Sequence, residues 1–336
     1  MDLTGPIRRG TAPTPGTGAT TGTQTATLTT PAAPAAAAGT PALPVDGFDR
    51  AGRATGPALP PVLLEVGNHK VGHGTDPGDY YCEHMFFTTQ KEAQRPGSSV
   101  QTNRAGENLV GFLHIPGDAQ TYTSGGTYSQ AERHGATRDV VGAALRGYVD
   151  EASAKLKPRE PVRVMLNGYG TFMSTVNNPT GDFVKNRENI DAAMKSAYGA
   201  NLVTPEGHDA GRSGDGQVWQ YVIREPNTRA LRTVLVRAQE WPVTDDTIGG
   251  GAAGSVQAAM KEFKPSAVLS MGVGTPDYTA EFHADNGGMR TMEGRNSHDD
   301  GAAASEQLPD NRSLARAIHA GGMAARASRA AGAPVG

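Results

Sequence analysis

TRDVVGAALRGYVDEASAKL (137–156) is followed, across the short polar link KPREP (157–161), by VRVMLNGYG (162–170). In the first stretch apolar side chains recur at 140, 141, 144, 145, 148 and 149, which is helical spacing with one buried face. The second is a near-continuous apolar run that enters a glycine-rich turn, the pattern of a strand covered on both sides. A helix delivered into such a strand is the repeating unit of an α/β domain.

The same alternation extends in both directions. PVLLEV (61–66) and NLVGFLHIP (108–116) are expected as buried strands, and CEHMFFTTQKEAQ (82–94) as a helix stopped by Pro96. Downstream, NRENIDAAMKSAYG (186–199) is expected as a helix with a glycine stop. QVWQYVIRE (217–225) and RTVLVRAQEWPV (232–243) are expected as a strand pair. AAGSVQAAMKEF (252–263) is expected as a helix, SAVLSMGVG (266–274) as a buried strand, and 311–332 as a helical stretch interrupted at Gly321 and Gly322. The sum is one α/β domain over 61–336. Residues 1–60 are rich in Thr, Ala, Pro and Gly, without periodicity or large apolar groups. Such a stretch does not offset the entropy of ordering and is expected to be a disordered tail.

The chain of 336 residues carries a formal net charge of -3 and a pI near 6.3. That balance excludes a protein that coats nucleic acid or a polybasic membrane anchor. No apolar run is long enough for a transmembrane helix, and MDLTGPIRRG lacks the apolar core of a secretory signal, so a cytoplasmic location is expected. There is no GxxxxGK[ST], no GxSxG and no complete GxGxxG, so no cofactor is expected. The sequence assigns no oligomeric state.

Three residues stand where chemistry is done. Cys82, the single cysteine, follows a glycine-containing turn and opens a helix. Unpaired N–H groups and the helix dipole favour a thiolate there, although an isolated cysteine is also a common buried apolar side chain. His114 ends an apolar strand, where open α/β sheets place their sites, and where a histidine also simply caps a strand rim. Glu281 lies in TPDYTAEFHADN, beyond the strand 266–274, a position equally suited to a solvated loop carboxylate. His69, His73, Cys82 and His84 offer the N and S donors of a zinc site, but with one Cys, no CxxC and a glycine-broken spacing, no metal is expected.

GDYYCEH (78–84) and GFLHIP (111–116) resemble the nucleophile and histidine segments of the pyroglutamyl peptidase family of cysteine peptidases. NGYGTF (167–172) with NNPT (177–180) resembles its GFGPF turn and the NPS that follows, and EFHADN (281–286) resembles its acid segment ExxAxN. EWPV (240–243) and KPSAVLSMGVG (264–274) resemble the elements that precede that acid. The order is rotated: in the family the turn and the acid precede the Cys and His, whereas here they follow. The stretch 301–336 resembles the family's helix before the Cys-bearing strand. The resemblance covers most of 61–336 and implies a circular permutation of a three-layer α/β/α, phosphorylase/hydrolase-like domain with a mixed, mostly parallel sheet. It implies a Cys82–His114–Glu281 triad, with Cys82 as nucleophile, His114 as general base and acid, and Glu281 orienting the imidazole. It implies removal of N-terminal pyroglutamate from a peptide or small amide. It implies a ring slot walled by Tyr169 and Phe172, with Tyr80 and Tyr81 beside the thiol as further candidate walls. The chain departs from the pattern at Glu83, Tyr169, Thr171 and Phe282, where the family usually has Asn, Phe, Pro and Arg. These departures leave open an inactive binding module or a thiol enzyme acting on another amide.

Overall fold

The computed structural model describes residues 58–74, 81–117, 130–171, 178–225, 228–244, 254–274, 277–284 and 308–332. The expected tail therefore lies outside the described residues up to position 57. Among the described residues nine strands form one sheet: β1 (Leu64–Val66), β2 (His69–Gly74), β3 (Val110–Ile115), β4 (Val162–Tyr169), β5 (His208–Ser213), β6 (Gly216–Arg224), β7 (Leu231–Trp241), β8 (Ala267–Val273) and β9 (Tyr278–Glu281). Their spatial order is β1-β2-β9-β3-β8-β4-β7-β6-β5.

The centre, β3-β8-β4-β7, is parallel, as the buried apolar runs predict. The flanks are not. β1 pairs antiparallel with β2, β9 with β3, β6 with β7 and β5 with β6, while β2 and β9 run parallel. The sheet is mixed, as expected, but it is not mostly parallel: half of its pairings among the described strands are antiparallel. The reason is that hairpins build one flank and the short β9 enters the other in reverse.

Helices α1 (Tyr81–Ala93), α2 (Gln130–Ser153), α3 (Pro179–Lys185), α4 (Arg187–Tyr198), α5 (Val256–Phe263) and α6 (Ser313–Gly332) pack on this sheet. Glycines reveal the two layers. Gly111 pairs with Leu269, so Gly272 points to the opposite face. A Cβ on Gly111 would strike Leu314 of α6 and Tyr148 of α2, whereas one on Gly272 would strike Cys82 of α1. Helices α2, α4 and α6 therefore share one face, and α1, with α5 against it, covers the other.

Gly321 and Gly322 do not interrupt α6, which runs unbroken through them. Gly321 lies against the Ala143 carbonyl of α2, where any side chain would collide. The glycines give close helix approach here rather than a stop. Helix α2 also starts earlier than its apolar spacing indicates, at Gln130 rather than near 137.

Three strands escape the sequence reading. β2 is the HKVGHG of the zinc argument, β5 is an exposed stretch with no apolar run, and β9 is the four-residue YTAE. β9 matters most, because it places Glu281 inside the sheet.

Candidate active site

His114 is the fifth residue of β3, every residue of which is buried. Its strand neighbours in register are Gly272 on β8 and Thr279 on β9, while Phe112 is opposite Glu281. His114 and Glu281 are thus diagonal neighbours on one sheet face, within reach of long side chains. Glu281 Oε1 lies 2.9 Å from His114 Nδ1, and the pair is 2 % and 5 % exposed respectively. The Phe112 ring meets the imidazole edge-on at 5.1 Å, fixing its plane from below.

With Nδ1 committed to the carboxylate, Nε2 is left for the thiol. The Cys82 sulfur lies over Gly272, the strand neighbour of His114, close enough to act on the charge of the imidazole. Cys82 sits in the first turn of α1, and its Sγ occupies the space where Gly272 has no side chain: a Cβ there would be 2.7 Å from the sulfur. Burial opposes a charged imidazole, but the hydrogen bonds and negative charges of Cys82 and Glu281 outweigh it and raise His114 to about 10. The arrangement therefore favours a charged imidazolium at neutral pH.

The other Glu281 oxygen, Oε2, is buried without a hydrogen-bond partner, against Gly74 of β2. Any side chain at position 74 would fall inside the carboxylate. The two glycines, Gly74 and Gly272, make room for the outer members of the three-residue row.

No family model, curated protein or solved structure matches the chain.

The structure brings together Cys82, His114 and Glu281, the three residues the resemblance selects. Tyr169, the last residue of β4, is buried on the same sheet face. Burial, and secondarily the negative charge of Cys82, raise its phenol well above the ordinary tyrosine range, which places the phenol within electrostatic reach of the thiol. Tyr80 and Phe172 lie outside the described residues, as do the side chains of Tyr81 and Glu83. Phe282, where the family usually has Arg, is buried with the Arg312 guanidinium over its ring at 4.9 Å.

The zinc set does not assemble. His73 Nε2 is 2.8 Å from the Pro60 carbonyl, His69 meets the Tyr278 ring edge-on, and Cys82 turns to His114. Among the described residues no three His, Cys, Asp or Glu side chains converge as a metal set. None of the described helices is long and apolar enough to cross a membrane.

Sequence reasoning missed a polar belt one pleat below the thiol. Trp241 Nε1 donates to Asn167 Oδ1 at 2.8 Å, and Asn167 Nδ2 donates to Ser270 Oγ at 3.1 Å. All three are buried and stand on β7, β4 and β8. The only signal for the belt was EWPV, which carries Trp241 but says nothing of its partner.

Proposed function

We propose that this chain is a thiol hydrolase of the pyroglutamyl peptidase kind, with its segments in circularly permuted order. The observation that carries the reading is the row Cys82–His114–Glu281, in which one imidazole stands between a half-buried thiol and a buried carboxylate. Buried groups of this kind are costly to desolvate and are unusual without a chemical role.

In the proposed reaction Cys82 Sγ attacks the amide carbonyl carbon, and the carbonyl π pair moves to oxygen. Collapse of the tetrahedral adduct breaks the C–N bond as His114 Nε2 delivers its proton to the departing nitrogen, leaving a thioester. Water then attacks the thioester while His114 takes one of its protons. Expulsion of the thiolate restores the pair and frees the acid. Glu281 keeps Nδ1–H engaged throughout, so that the proton traffic runs through Nε2.

The acyl group is proposed to be an N-terminal pyroglutamyl residue, with Tyr169 against its ring. The rotated order is supported by the way the end of α6 lies along β1. Arg326 donates to the Glu65 carbonyl at 3.0 Å, and Gly322 leaves room for Leu64. A working thiol of this type suits a reducing compartment such as the cytoplasm.

Hydrolysis of a fluorogenic pyroglutamyl amide by the purified, reduced protein, abolished in Cys82→Ala, is the expected result. Absence of cleavage by folded protein would sink the substrate assignment. Slow iodoacetamide labelling of Cys82 at neutral pH would sink the hydrolase reading altogether, in favour of a binding module.

A further inference from the structure

The stretch LPDNRS (308–313), which leads into α6, is bonded to all three elements that carry the row. The Pro309 carbonyl accepts from Gln90 Nε2 at 2.7 Å, about two turns along α1 from Cys82. Towards the start of β3, Asn311 Nδ2 donates to the Asn108 carbonyl at 3.0 Å, and Ser313 Oγ donates to the Val110 carbonyl at 3.0 Å. Towards the end of β9, the Asn311 N–H donates to the Phe282 carbonyl at 2.7 Å, and the Leu308 N–H donates to the Ala284 carbonyl at 3.1 Å. Asp310 Oδ1 lies 3.1 Å from His283 Nδ1 in the same place.

Asn311 thus reaches both strands. Its side-chain amide is fixed on the chain entering the strand of His114, and its backbone N–H holds the residue that follows Glu281. Its Oδ1 accepts the Ser313 N–H at 3.0 Å, and the whole residue is buried. Glu281 needs such a hold. It is the last residue of a four-residue strand, and its carboxylate has one hydrogen-bond partner, His114, since Oε2 has none. The aim of that carboxylate therefore depends on where the backbone at the end of β9 lies. A supporting residue that fixes this backbone relative to β3 fixes the carboxylate relative to the imidazole.

We propose that Asn311 is a positioning residue that sets Glu281 against His114 and acts on the reaction only through that carboxylate. This rests on the reading of Cys82, His114 and Glu281 as the reacting row, but not on the identity of the amide.

The test is Asn311→Ser in the full-length protein. The hydroxyl can still accept the Ser313 N–H but is too short to reach Asn108. Asn311→Ala, which introduces no new polar group, is carried beside it, and circular dichroism verifies the fold of each. Hydrolysis of the pyroglutamyl amide is expected to lose about tenfold in kcat with KM within about twofold, and iodoacetamide labelling of Cys82 at pH 7 is expected to slow about threefold. Tyr221→Phe, which breaks a buried hydrogen bond to Asp191 on the other flank of the sheet, controls for general loss of stability and should lower Tm without lowering kcat. The deciding measurement combines Asn311→Ser with Glu281→Gln. A residue that acts through Glu281 adds no further loss once that carboxylate is gone, so the double variant should match Glu281→Gln in both assays. Losses that multiply, or a kcat and labelling rate unchanged in Asn311→Ser and Asn311→Ala, would overturn the proposal and leave the thiol hydrolase reading standing. A wild type that labels fast without cleaving the amide would remove the substrate assignment alone, with the labelling cycle still deciding the role of Asn311. A wild type slow to label at neutral pH would overturn both.

Discussion

Gly272→Ala isolates the link between sheet geometry and sulfur position. The new Cβ would lie 2.7 Å from Cys82 Sγ, 2.7 Å from Phe112 Cζ and 2.9 Å from Phe112 Cε1. Non-bonded heavy atoms settle at about 3.5–4.0 Å, so the overlap requires about 1 Å of movement. Phe112 is fully buried on a central strand and has little room to give. The sulfur, in the first turn of α1, is the softer partner. Displacing a reacting atom by about 1 Å costs on the order of 100-fold in rate. Overpacking itself costs about 1–3 kcal/mol, or roughly 2–10 °C in Tm for a domain of this size. The assay is therefore double: amide hydrolysis and iodoacetamide labelling for the site, and thermal unfolding for the fold. Gly274→Ala is the control, since its Cβ would stand 3.6 Å from His114 Cδ2, an ordinary contact, and it should remain close to wild type. Wild-type hydrolysis and labelling in Gly272→Ala, with an unchanged Tm, would refute the placement of the thiol on this glycine.

Other perturbations test the remaining members of the site. Gly74→Ala puts a methyl group into the Glu281 carboxylate and should cost activity about as much as Glu281→Gln, with a lower Tm that Glu281→Gln does not share; equal activity to wild type would argue that Glu281 swings away freely. His114 has its pKa raised to about 10 from 6.5, so its charged partnership stabilises the fold fully below about pH 6.5 and is lost as pH rises towards 10. The stability difference between wild type and His114→Asn, measured by urea unfolding, should therefore shrink from pH 6 to pH 10, and a constant difference would count against the charged pair. Asn167→Leu removes both belt hydrogen bonds and leaves the Trp241 indole N–H unsatisfied, at a cost of about 1–3 kcal/mol. Its urea midpoint should recover in part in the double variant with Trp241→Phe, and strict additivity would mean the belt is not coupled.

How much of this was legible in the sequence depends on whether a feature is local. Helix α2 and strand β4 announce themselves because their apolar spacing records burial directly. Strand β2 does not: HKVGHG has glycines and histidines where strands favour branched or aromatic residues, and it is extended because β1 and β9 pair with it on either side. β9 is four residues long, too short for any period to register, and β5 is exposed along most of its length, so no alternation marks it. Cys82 and His114 were legible as a helix start and a strand end. Glu281 was selected only through the resemblance, since by position it read as a loop carboxylate. Gly74 and Gly272 were not legible at all. Their contribution is the absence of a side chain opposite a partner far along the chain, and that partner exists only once the sheet is assembled.

The same distinction explains why a rotated segment order is compatible with an intact row. Cys82, His114 and Glu281 come from the start of α1, from β3 and from β9, and the sequence separation of His114 and Glu281 is 167 residues. What aligns them is lateral: β9 pairs with β3, β3 with β8, and the sulfur rests on β8 at Gly272. None of these relations refers to the order in which the strands are threaded. On the proposed permutation the opened connection lies between α6 and β1, at the edge of the sheet, and the closed one is the exposed turn at 157–161 before β4. Neither connection passes through β9, β3 or β8. An opening within the β9–β3–β8 group would separate the carboxylate, the imidazole and the glycine under the sulfur, whereas one at the α6–β1 edge leaves every register pair of the site in place.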